Sequence, residues 1–158
     1  MAMSQSVLAA QLLALAPAAT EADAVAALAD AYATFAADAQ AGAAAITPAG
    51  VALGKAAMLA ALVGVNAPGA GSAVLTAAVQ AFWGAVAGGL ATSFPAATVI
   101  VPPPHSGLRV LLDATFVTNT ATAASGPDAT AAVAADLYGQ AITGGGVTFP
   151  GPVVSPIT

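Results

Sequence analysis

The residues that could support nucleophilic catalysis lie together in one short stretch of the chain. His105 is the only histidine, Ser106 follows it directly, and Asp113 lies a little further on. A serine nucleophile needs a histidine base that a carboxylate orients. Adjacent side chains point in different directions, so this proximity does not give the geometry of a triad. We expect His105 to lie in a loop that meets solvent or a partner, and we predict no catalytic residue and no enzymatic activity.

Two glycine-rich segments partly match the patterns of phosphate-binding loops. Gly50, Gly54 and Lys55 approach the P-loop pattern, but the glycines are too close by one position, no Ser or Thr follows the lysine, and no strand precedes the segment. The glycines of residues 64–71 lack the strand and the later acidic residue of a dinucleotide-binding turn. We therefore predict interhelical packing and turns here, with no nucleotide or other cofactor and no small-molecule substrate.

The supply of ionisable side chains is too small for two further classes of site. The chain has one His, no Cys and seven dispersed carboxylates, so it offers no convergent set of zinc or calcium ligands. Lys55 and Arg109 are the only basic residues. Affinity for nucleic acid comes mainly from such residues. We predict no metal site and no nucleic-acid partner.

The distribution of charge is the most informative property of the sequence. Only 6% of the residues are charged, whereas about a quarter are charged in a typical soluble domain. No Asp, Glu, Lys or Arg occurs over residues 56–108, and Ala makes up roughly 30% of the chain. A protein this poor in charge has little with which to cover its surface. Either neighbouring proteins or lipid should cover much of it.

Apolar periodicity and helix-capping signals predict a mainly α fold, with a compact domain of about five or six helices over residues 1–146. Residues 108–120 fit either a helix or a strand, and the helical neighbours favour a helix. A short extended or two-stranded element is expected near residues 98–101. The predicted helices cover residues 4–15, 20–40, 47–62, 73–90 and 127–142, besides the ambiguous segment.

Residues 147–158 form a proline-rich segment that is too apolar for a freely solvated tail. We predict an extended C-terminal arm that lies on its own domain or on a neighbouring subunit, with residues 147–149 pairing to residues 98–101 as a minimal ribbon. The Phe82-Trp83 pair fits either a core role or an interface anchor. The interface candidates are Phe82, Trp83, Phe149, Val153, Val154 and Ile157.

Two other classes of protein remain open at this point. A small integral membrane protein would place helices near residues 50–65 and 73–91, and Gly84 and Gly88 have the spacing that lets membrane helices approach closely. Lys55 lies inside the first stretch, strong membrane inserters are sparse, and no basic cluster sets an orientation. We therefore disfavour a membrane span. A helical ligand-binding module is the other alternative.

Three segments give the chain its general character: the amphipathic segment 20–40, the Ala/Gly-rich run 67–89 and the arm 147–158. In this character the chain resembles the small, Ala-rich structural proteins of tailed phages and contractile injection particles. The resemblance implies a structural subunit of a virion, in the capsid, neck or tail, that is assembled in the host cytoplasm. Its partners would be copies of itself and other structural proteins of the same particle.

Overall fold

The computed structural model describes residues 2–15, 18–64, 69–151 and 153–158. It is mainly α, with 60% helix, and its described residues form six helices and two small antiparallel sheets, which confirms the predicted class. The helices are α1 (Gln5–Leu13), α2 (Glu21–Ala36), α3 (Pro48–Ala61), α4 (Gly71–Gly88), α5 (Leu108–Ala121) and α6 (Gly126–Ala141). The strands are β1 (Gln40–Ala41), β2 (Ala44–Ala45), β3 (Val99–Val101), β4 (Gly146–Phe149) and β5 (Val153–Pro156). The ambiguous segment is therefore helical.

Side-chain caps define the starts of three helices. The hydroxyl of Thr20 accepts a hydrogen bond from the backbone N–H of Asp23 at the start of α2, and Thr47 and Ser125 act in the same way for α3 and α6. Two boundaries differ from expectation. α4 begins at Gly71 rather than at residue 73, so Ser72 lies inside the helix and does not cap it. α2 ends before residue 40, because the chain turns there into the β1–β2 hairpin.

The helices α3 and α4 form the largest helix–helix contact, and Gly54 of α3 lies against a ring of α4, while Gly50 lies against the chain that follows α4. A Cβ atom on Gly54 would lie 2.7 Å from the ring of Phe82, and one on Gly50 would lie 2.6 Å from the Cα atom of Ser93. Gly84 and Gly88 have open space at the corresponding positions. Gly84 and Gly88 are therefore not the glycines that permit the contact between α3 and α4, and Gly54 of α3 is the position of closest approach.

An aromatic cluster occupies the centre of the core. The rings of Tyr32 and Phe82 meet edge to face with centroids 5.2 Å apart, and those of Phe82 and Trp83 meet in the same way at 5.4 Å. The indole Nε1–H of Trp83 donates to the Tyr32 hydroxyl over 2.9 Å, which satisfies two polar atoms that would otherwise be buried without a partner. Burial raises the pKa of Tyr32 far above its ordinary value.

The C-terminal residues complete a three-stranded sheet in the order β3-β4-β5. Val99 pairs with Thr148, which in turn pairs with Val154 on β5. The predicted ribbon between residues 98–101 and 147–149 is confirmed, and β5 adds a strand to it. Beyond β5, Ile157 forms a bridge to Ala41 of the hairpin.

The C-terminal segment therefore lies on its own chain. Val147 and Ile157 are fully buried in the common hydrophobic core, and Thr158 exchanges two backbone hydrogen bonds with Gln40, each 2.9 Å long. The sequence left open whether this arm covers its own domain or a neighbour. Its two buried side chains make it part of the folding unit of this chain.

Candidate interaction surfaces

The six residues predicted as interface candidates divide into buried and accessible groups. Phe82, Trp83 and Ile157 are fully buried. The structure therefore places them in the core and corrects their interpretation as interface anchors, because they present no surface to a partner. Val153 and Val154 are 55% and 67% exposed, and Phe149 is partly buried.

The first accessible surface is the outer side of the three-stranded sheet. Residues directly opposite one another on paired strands share a face. The register therefore places Val99, Thr148 and Val154 side by side, with Val101 further along β3. Val99 and Val101 are about half exposed. We call these four residues the sheet face, and no charged residue occurs on any of the three strands.

The second accessible surface is the outer side of α5. Val110 and Val117 are 72% and 69% exposed, and Ala114 and Ala121 are also exposed. Their spacing of four, three and four residues places all four on one side of a helix. We call Val110, Ala114, Val117 and Ala121 the α5 face. It lies opposite the side of α5 that carries the buried leucines 108 and 112.

Polar contacts fix the orientation of α5 from its inner side and its flank. Ser72 on α4 donates its hydroxyl hydrogen bond to Asp113, and Thr115 donates to Asp136 of α6 over 2.5 Å. Arg109 is 3.9 Å from Asp113, one turn along the same helix. These contacts join α5 to both neighbouring helices. The helix therefore has a defined outward side, which is the apolar α5 face.

His105 is not at the surface, contrary to the sequence-based expectation of a loop histidine that meets solvent or a partner. It is 1% exposed, has a φ of 49°, and neither ring nitrogen has a hydrogen-bond partner of normal geometry among the described residues. Burial lowers the pKa of His105 to about 4, and the nearby Pro103 carbonyl opposes this shift only weakly. The imidazole is therefore neutral at neutral pH.

The three residues first considered for catalysis are not brought together. Ser106 is exposed while His105 is buried, and the carboxylate of Asp113 accepts from Ser72. Within the described ranges, no group of three His, Cys, Asp or Glu side chains is arranged to hold a metal ion. Lys55, from the rejected phosphate-loop pattern, forms an ion pair with Asp30 of α2.

The two candidate membrane stretches correspond to α3 and α4, apart from residue 65, which lies outside the described residues. Among the described residues α4 alone is long and apolar enough to cross a membrane, with a mean hydropathy of 1.3 over 18 residues, a test that core helices also pass. The bulky side chains of α4 face the interior, with Val79, Phe82 and Val86 fully buried. α3 is a shorter apolar helix. These two helices pack on each other in the most extensive helix–helix contact of the described chain.

Sequence reasoning missed the α5 face, although its signal was present. Residues 110, 114, 117 and 121 have a heptad-like spacing, but this pattern has meaning only once the segment is known to be helical. An apolar groove lined by Leu12, Phe116 and Val133 borders the same helix.

Comparisons with protein-family models, with curated proteins and with solved structures each found no match to this chain.

Proposed function

We propose that this protein is a structural subunit of a large protein assembly and acts through contacts between subunits. The observation that carries the proposal is the pair of uncharged apolar faces exposed on different elements, the sheet face and the α5 face. Single exposed apolar residues are normal on protein surfaces. Contiguous exposed apolar residues more often mark an interaction site.

The number of interaction faces on a subunit decides which kind of assembly it can form. A single self-complementary face produces a closed dimer, whereas a subunit with two independent faces can contact two neighbours at once and extend a ring or a tube. The chain has only two basic and seven acidic residues, which leaves few charges to surround these faces. Burial of the exposed valines would stabilise the assembly by roughly 25 cal/mol for each Å² of apolar surface removed from water.

The proposed assembly is a virion of a tailed phage or a related contractile injection particle, with this chain in the capsid, neck or tail. The resemblance in Ala-rich, nearly Cys-free character, carried by residues 20–40, 67–89 and 147–158, supports this setting. The partners are further copies of the chain and other structural proteins of the particle. The net charge of −5 makes a position against packaged nucleic acid electrostatically unfavourable. The proposal includes no catalytic activity.

The test is recovery of the protein in particles from its native source. Particles are purified on a density gradient and washed in high salt, and the protein is quantified against a known particle component by mass spectrometry. We expect a constant ratio across the particle peak. A protein found only in the soluble fraction would overturn the proposal, and recovery only in detergent-extracted membranes would support the integral membrane alternative instead.

A matched pair of variants links that test to the proposed surfaces. Val154→Lys places a charge on the sheet face at a side chain that is 67% exposed, so the fold should tolerate it. Ala26→Lys makes the same change at an exposed position of α2 outside both faces. We expect the Val154 variant to be depleted from particles while the Ala26 variant is retained. Equal incorporation of the two would contradict a role for the sheet face.

A further inference from the structure

We propose that α5 pairs with α5 of a second copy of this chain, antiparallel, across a two-fold axis at the middle of the helix. This inference rests on the proposed function, because it names one of the contacts by which the subunit would assemble. Its basis is the α5 face, whose four exposed side chains are uncharged and which has Asp113 at its edge.

The α5 face is complementary to itself when reversed. An antiparallel pair centred between residues 115 and 116 places Val110 opposite Ala121 of the second copy, and Ala114 opposite Val117 of the second copy. Every contact along the line is then one large side chain against one small one, which allows the two rows to interdigitate. A parallel pair would place valine on valine and alanine on alanine, with crowding and gaps in alternation.

The charges of α5 favour the same arrangement. Arg109 lies in the first turn, where the positive end of the helix dipole makes a cation unfavourable, and the last turn carries no basic residue. In the antiparallel pair each arginine approaches the last turn of the other helix, whose free carbonyl groups carry partial negative charge. Asp113, which lies nearer the two-fold axis, is accompanied in its own chain by that arginine at 3.9 Å.

The length of α5 limits the strength of this contact. The helix has 14 residues and is about 21 Å long, so one helix pair buries less than the roughly 800 Å² per partner of a standard stable interface. The pair should therefore be weak in dilute solution and become effective where other contacts hold the subunits together, so cross-linking is measured at high protein concentration, where a weak pair is populated. We favour a second copy as the partner because the α5 face is complementary to itself in the antiparallel direction. Binding to a different protein would not require this self-complementarity.

The absence of cysteine makes a clean test possible. Ala114→Cys places one thiol per chain close to the proposed axis, and helices packed about 8–10 Å apart bring two such thiols within reach of a short bis-maleimide. Ala26→Cys, at an exposed alanine of α2, is the matched control. We expect the Ala114 variant to form covalent dimers at least about tenfold faster than the control, since pairing raises the effective thiol concentration.

A second substitution separates pairing from chance collision. Val117→Lys in the Ala114→Cys background places two lysines near the axis, and because Val117 is 69% exposed the helical circular dichroism should not change. We expect cross-linking to fall to the rate of the Ala26 control. Equal rates for the two cysteine variants, or cross-linking unaffected by the lysine, would overturn the α5 pair. If the α5 pair is overturned in one of these ways but the Val117→Lys protein is still recovered normally in particles, the proposed assembly role remains and only the α5 contact is removed from it.

Discussion

Replacing His105 by asparagine should remove a large part of the acid sensitivity of folding. The folded protein holds the pKa of His105 at about 4, whereas the unfolded chain has the ordinary value of 6.5. Between these values the unfolded state binds the additional proton, so the free energy of unfolding falls as the pH falls. The stabilisation that the folded protein gains from a neutral His105 is fully present above pH 6.5. It decreases by about 2 kcal/mol from pH 7 to pH 5, and by about 3 kcal/mol at pH 4.

Urea denaturation followed by the fluorescence of Trp83 measures this effect. Asparagine does not titrate and tolerates the positive φ of position 105 better than most residues, so His105→Asn should still fold. The comparison runs from pH 7 to pH 5 and stays above the isoelectric point of about 4.1, where solubility is lowest. The carboxylates are common to both proteins and cancel in the difference. Parallel stability curves for the two proteins would refute the buried neutral histidine.

Three further predictions concern the packing of the fold, each measured by urea unfolding. Gly54→Ala should lower the free energy of unfolding by about 1–3 kcal/mol, because the new methyl group meets a buried ring. Gly84→Ala places its methyl group in open space and should raise the free energy of unfolding by up to about 1 kcal/mol. Similar effects of the two substitutions would contradict the assignment of Gly54 as the closely packed glycine. Tyr32→Phe should cost about 1–3 kcal/mol, because it leaves the buried indole N–H of Trp83 without an acceptor, and an unchanged midpoint would count against that hydrogen bond. Ile157→Ala should cost about 2–5 kcal/mol if the C-terminal residues belong to the core, and a negligible loss would indicate a detachable arm.

The helices were predictable because their signals are local. Thr20 and Thr47 are capping residues followed by acidic residues or proline, and the structure uses both as caps. The β3–β4 pair could also be anticipated, because residues 98–101 and 147–149 are short β-branched or aromatic runs. The third strand was missed, since proline and glycine separate β5 from β4 and gave no periodic pattern.

The candidate surfaces were only partly predictable. Of the interface candidates in the C-terminal segment, Val153 and Val154 are exposed, but Ile157, three positions further on, is fully buried. Within an extended segment the direction of a side chain depends on the strand to which it pairs, and sequence spacing does not show this. Phe82 and Trp83, which the sequence allowed either in the core or at an interface, are core residues because their side of α4 packs into the interior.

The sequence by itself determined the helical class, most helix boundaries and the scarcity of charge, because capping, periodicity and composition act over a few neighbouring residues. The tertiary structure alone decided which apolar residues lie inside. It buried His105, placed Gly54 of α3 rather than the glycines 84 and 88 of α4 in the closest helix contact, and left the valines of α5 on the outside. In a chain with so many small apolar residues many faces are nearly equal in hydrophobicity. Which of them become buried then depends on the fit between distant segments, and that fit is a property of the folded chain.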